Sequence, residues 1–80
     1  MITPQDIKRW IEAGLETQWV ETDGDGHHFD ATVVSAAFRG RTRVQQHQLV
    51  YAALGERMKA EIHALSLKTF TPEEWEARGV

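Results

Sequence analysis

The metal-binding side chains of this chain are histidines and carboxylates, because it contains no cysteine at all. That excludes disulfides, a cysteine zinc ribbon and a thiol nucleophile. Any metal chemistry must use His, Asp or Glu, or borrow thiolates from another molecule. Four histidines are present: His27 and His28 side by side, His47 and His63. A neutral imidazole binds iron or zinc and a protonated one does not, so any site built from them is sensitive to pH. His27 and His28 follow Asp23-Gly24-Asp25-Gly26, a turn made of residues that tolerate positive φ. Asp23 and Asp25 are read as turn-fixing residues. Nothing near them would separate their acidities as general acid and base require, and no closing glutamate follows to make a calcium loop.

His63 opens the most informative stretch, Glu61 to Trp75 (EIHALSLKTFTPEEW). Ile62 to Phe70 reads as one strand, apolar and β-prone enough for the interior of a sheet. Alternation puts His63 on the face of Leu65, Leu67 and Thr69, and turns Ile62, Ala64, Ser66, Lys68 and Phe70 the other way. Thr71-Pro72 stops the strand, since proline removes a ladder donor and biases the residue before it away from the α region. The same dipeptide starts a helix, with Thr71 as N-cap, Pro72 at the first position, Glu74 closing a capping box and Trp75 as anchor.

These residues need a scaffold, and the rest of the chain predicts one. Thr3-Pro4-Gln5-Asp6 is a second helix start of the same kind; Ile7, Trp10 and Ile11 supply its buried face, and Gly14 ends it. Leu15 to Thr22 is strand-like with Trp19 and Val20 as anchors, and His28 to Ala36 is the next strand, so the two should form an antiparallel hairpin. A connector, Phe38 to Arg43, carries Arg39, Arg41 and Arg43 into the longest helix, about Arg43 to Ala60. There Val44, His47, Val50, Tyr51, Leu54 and Met58 fall on one stripe, with Leu49 off it and at least partly exposed. His47, inside that stripe, is read as a half-buried residue with one satisfied nitrogen rather than a ligand. The order α-β-β-α-β-α and a right-handed crossover give an α+β fold, a three-stranded mixed sheet with helices packed on one face and the last strand parallel to the second.

Eighty residues predict a single domain over 1–80. A net charge of −3 argues against a chain whose main task is gripping phosphate backbones. No apolar run approaches the roughly 18 residues needed to span a membrane, and no secretory signal pattern is seen, so a cytoplasmic protein without membrane partners is expected. No nucleophile–base arrangement is present, and no enzyme is expected.

Three blocks together resemble the BolA family, in particular its BolA/IbaG-like bacterial branch. They are GDGHHF with DATVVSAAFRG behind it, RVQQHQLVYAAL, and IHALSLKTFTPEEW. The resemblance covers about residues 5 to 78. The third block is the most specific, because the histidine, the alternating strand and Thr-Pro-x-x-Trp keep fixed spacing.

The resemblance implies a class II KH-like (BolA-like) fold, matching the order above. It also implies a monothiol glutaredoxin partner carrying a bridged [2Fe–2S] cluster, held by the partner's cysteine and bound glutathione. The BolA-like protein would supply a histidine at the position of His63 and a second ligand from the first hairpin loop. In that loop His27 and His28 both stand as candidates: His28, just before Phe29, matches the branch pattern better, and His27 lies nearer the turn. Two histidines cannot complete a four-ligand cluster, so a second protein has to. Imidazoles in place of thiolates raise a cluster's reduction potential. The role implied is iron–sulfur cluster trafficking or assembly, or iron and stress regulation, with a free chain that is a monomer or weak homodimer. The alternative is a KH-like DNA- or RNA-binding transcriptional regulator using Arg39, Arg41 and Arg43. Against it, the connector lacks a G-x-x-G clamp and there is no row of exposed aromatics for base stacking.

Overall fold

A computed structural model describes residues 1–60, 62 and 64–78. The chain runs α1 (Pro4–Gly14), β1 (Trp19–Gly24), β2 (His28–Val34), a 3₁₀ turn (Ala36–Phe38), α2 (Arg43–Leu54), α3 (Arg57–Ala60), β3 (Ala64–Phe70) and α4 (Pro72–Ala77). Three of the helices begin with the same device. Thr3, Thr42 and Thr71 each accept the backbone N–H three residues on, while Asp6, Gln45 and Glu74 reach back to the cap. Two otherwise orphaned donors are satisfied at each start.

The sheet order is β1-β2-β3, with β1 antiparallel and β3 parallel to β2. This is the expected α+β topology. β2 is the central strand, however, and β3 lies at an edge, so the stretch read as interior from its apolar content has one open side. Cover from α2 makes its hydrophobicity necessary: Leu65 and Leu67 pack against the core, and Thr69 is fully buried. Ile62 also belongs to the core, although alternation had turned it away from Leu65. Its N–H bonds the carbonyl of Arg57 (3.0 Å) in α3, and strand pairing starts only at Ala64, so Ile62 precedes the strand and escapes its alternation.

α1 and α2 cover one face of the sheet, packing Ile7, Ile11, Val50 and Leu54 against Val20, Phe29, Ala31 and Val33. Each fully buried phenylalanine, Phe29 in β2 and Phe38 in the 3₁₀ turn, contributes about 1.5–3 kcal/mol. On the other face Trp19, Val34 and Phe70 lie in register. Trp75 of α4 closes over them, 6.4 Å from the Trp19 ring and 5.3 Å from Phe70. Trp19, expected as a strand anchor, is half exposed at the rim of this second cluster. The first strand begins later than expected and the second ends sooner. Ser35 leaves the sheet to cap the 3₁₀ turn, accepting from Ala37 N–H and donating to the carbonyl of Glu16 (2.6 Å).

The long helix also departs from expectation. It stops at Leu54, where Gly55 takes φ 61°, and only a short turn, α3, follows. Its buried side is rotated from the predicted stripe: Val44 and Tyr51 are exposed, while Gln46 is buried. Leu49 is partly exposed, as expected. Gln46 is a polar residue outside the predicted stripe, but this side chain has fixed partners inside. Its Nε2 donates to the carbonyls of Phe38 (3.3 Å) and Arg41 (3.1 Å), and its Oε1 accepts from Thr69 Oγ1 (2.7 Å). Replacing Thr69 by valine keeps the shape and leaves the Gln46 carbonyl buried without that donor. A loss of about 1–3 kcal/mol is expected, read as a lower urea midpoint with an unchanged denaturant slope.

Candidate functional site

The loop between β1 and β2 is held by one carboxylate. Asp25 Oδ1 accepts the N–H groups of both His27 and His28 (2.9 Å each), and Asp25 N–H donates to the carbonyl of His28 (3.2 Å). Asp23 Oδ1 accepts Gly24 N–H (2.8 Å). The two aspartates thus do fix the turn. Glycine at 24 is a steric requirement: a Cβ there would meet Phe29 Cδ1 at 2.6 Å and the carbonyl of His28 at 2.7 Å. The backbone bonds from His28 and then His27 hold the Asp25 carboxyl below its ordinary acidity range.

His28 is the first residue of β2 and projects from the face away from α1 and α2, with its side chain 53% exposed. Its Nε2 lies 3.2 Å from Ser66 Oγ and 3.7 Å from Asp30 Oδ1. The register explains this trio: His28 pairs with Ala64 and Asp30 with Ser66. Neither Ser66 nor Asp30 stood out in the sequence, although alternation places Ser66 on the outer face and Asp30 two residues from His28. His27 is exposed and adjoins the turn. His63 lies outside the described residues; in sequence it directly precedes Ala64, the partner of His28. Among the described residues no group of three His, Cys, Asp or Glu could hold a metal ion.

The three connector arginines are not equivalent. Arg39 makes a two-pronged pair with Glu73 of α4 (2.9 and 2.6 Å), which raises the acidity of Glu73 and lowers that of Arg39. Arg41 donates to the carbonyl of Ala37 (3.0 Å) and Arg43 to that of Thr69 (2.7 Å). These two keep their net charge, whereas that of Arg39 is offset. His47 is partly buried as expected, but Nε2 is buried with no hydrogen-bond partner among the described residues. Burial, then the neighbouring Arg43, lowers its basicity.

The Asp25 clamp has a definite pH signature. A carboxyl whose folded pKa is depressed stabilises the loop fully above the ordinary value of 3.8, and that support is lost as pH falls through the lower folded value. The NMR amide signals of His27 and His28 should move together on that acid side. Asp25→Ala should speed their hydrogen exchange at neutral pH, while Asp25→Asn, which keeps an acceptor oxygen, should retain most of the protection.

Comparison with known proteins bears on the whole chain. Residues 12–74 match the family described as BolA-like protein. The chain is 47% identical to the DNA-binding transcriptional regulator BolA of Haemophilus influenzae, over 98% of this chain and 85% of that protein. It is 39% identical to the acid stress protein IbaG of Escherichia coli K12, over 88% and 84%. Among solved structures it resembles a BolA protein homologue from Coxiella burnetii, with 55% identity and a TM-score of 0.88 over 95% of this chain and 99% of that one. The chain belongs to the BolA family.

Proposed function

We propose that this protein is an accessory partner of a monothiol glutaredoxin. Together they hold a bridged [2Fe–2S] cluster, in iron–sulfur cluster trafficking or assembly or in iron and stress regulation. His63 and one histidine of the β1–β2 loop are this chain's ligands; the glutaredoxin cysteine and glutathione thiol supply the others. The observation that carries this reading is the β2–β3 register, which sets His28 opposite Ala64, the residue next to His63 in the chain. A cluster with imidazoles on one iron has a higher reduction potential than an all-thiolate one and loses those ligands in acid. This chain's part is to present the imidazoles: the Asp25 clamp fixes the loop backbone, and the ring of His28 stands half exposed at the sheet rim. Arg41 and Arg43, which meet carbonyls and no carboxylate among the described residues, offer charge for an acidic partner surface or a glutathione carboxylate.

A second reading is nucleic-acid binding. It draws on the Haemophilus influenzae relative, a DNA-binding transcriptional regulator, and on the same two arginines. The pairing of Arg39 with Glu73 reduces the positive field such binding would need.

Titrating the protein into cluster-loaded monothiol glutaredoxin with glutathione should change the visible absorption and circular dichroism of the cluster. His63→Ala should abolish the change while leaving the far-ultraviolet spectrum intact. Of His27→Ala and His28→Ala, one should abolish it and so name the second ligand. An unchanged spectrum with wild-type protein at every ratio would sink the reading. A DNA or RNA affinity that falls steeply with salt and with Arg41→Ala and Arg43→Ala would then favour the second.

A further inference from the structure

We infer that Ser66 and Asp30 are positioning residues for His28: they hold its Nε2 as the protonated nitrogen and leave Nδ1 with the lone pair to offer a metal. This rests on the cluster-ligand reading above, with His28 as the loop ligand. The two ring nitrogens of a neutral histidine are not equivalent; the one that faces an acceptor keeps the proton, and the other is the donor to a metal. Metal-binding histidines commonly have their far nitrogen tied to a carboxylate or other acceptor, which sets both tautomer and ring direction.

The geometry around His28 is of that kind. Nε2 is 3.2 Å from the hydroxyl oxygen of Ser66. By itself that contact does not choose a tautomer, because a hydroxyl can donate or accept. The carboxylate of Asp30, 3.7 Å from the same nitrogen, makes the choice, since it favours a proton on Nε2 and repels a lone pair there. Ser66 then accepts. All three side chains stand on the outer face, and two backbone pairings fix their spacing: His28 with Ala64 and Asp30 with Ser66. The two supports come from different strands 36 positions apart in the chain, so only the folded sheet assembles them.

The experiment uses the full chain labelled with nitrogen-15 in its histidines, at a pH where the rings are neutral. Imidazole shifts report the tautomer directly, without iron. His28 should be mainly the Nε2–H form in the wild type and drift toward the mixture of a free imidazole in Ser66→Ala, Asp30→Asn and the double variant. Each variant should keep the wild-type backbone amide spectrum away from residues 28, 30 and 66. In the glutaredoxin titration the double variant should reach the same final cluster spectrum at about 10–100-fold higher concentration, the loss typical when an outer support of a metal ligand is removed. A His28 tautomer that is Nδ1–H, or that is the same in wild type and variants, overturns the inference. So does a double variant that titrates like wild type while His28→Ala abolishes the spectrum, an outcome that leaves the cluster reading standing. A wild type that never alters the cluster spectrum removes both.

Discussion

Seven cross-strand partners between β2 and β3, from His28 opposite Ala64 to Val34 opposite Phe70, determine where nearly everything else lies. Side chains alternate with a period of two, so a slip of one residue would send Leu65, Leu67 and Thr69 to the outer face and Ser66 and Phe70 into the core. The register is pinned at one end by a polar knot. Gln46 joins the connector carbonyls of Phe38 and Arg41 to the hydroxyl of Thr69, and Arg43 takes the Thr69 carbonyl. That second bond also occupies backbone at the open edge of β3, one of the ways in which edge strands are kept from pairing with other chains.

The sheet divides labour between its faces. The helix-covered face carries the main core, which supplies most of the hydrophobic stabilisation. The other face carries a small aromatic cluster at one end, where Trp19, Val34 and Phe70 meet Trp75, and polar groups at the other, where His28, Asp30 and Ser66 meet. α4 is tied to this arrangement at both its ends. The Thr71 capping box starts it, Arg39 holds Glu73 in its first turn, and Arg78 lies 3.3 Å from the Trp75 ring centre at its end. At the polar end the His28 ring is half exposed and stands apart from the core.

Charge follows the same logic. A connector with three arginines in five residues reads as a basic patch, yet folding distributes them among three different partners. Among the described residues only Arg39 meets a carboxylate, thirty-four residues away in α4. Contacts to the carbonyls of Ala37 and Thr69 orient Arg41 and Arg43 without removing their charge. A patch of two positioned charges suits the recognition of a few acidic groups better than the tracking of a long phosphate backbone.

Local rules were enough for much of this. The threonine caps, the Gly-Asp turn, the strand breaker at Pro72 and the element order were legible because each depends on neighbours within a few residues. So was the turn-fixing role of Asp23 and Asp25, and the resemblance carried by the histidine, strand and Thr-Pro-x-x-Trp block placed the chain in its family. What failed depended on contacts between distant segments. The buried phase of α2 was misread because Gln46 looks polar until Phe38, Arg41 and Thr69 surround it. β3 was read as interior because apolar content reports burial and not sheet position, and here α2 supplies the burial. Trp19 anchors β1 at the rim of the outer face and not in the core, because a tryptophan's size does not say which face it will occupy. The surroundings of His28 were equally hidden, since Ser66 reaches it only through the parallel register. Sequence by itself determined most of the elements, their order and the candidate ligands, because backbone geometry and capping act locally. Tertiary structure alone brought Ser66 to His28, because only strand pairing and helix packing bring together residues that the chain keeps thirty or more positions apart.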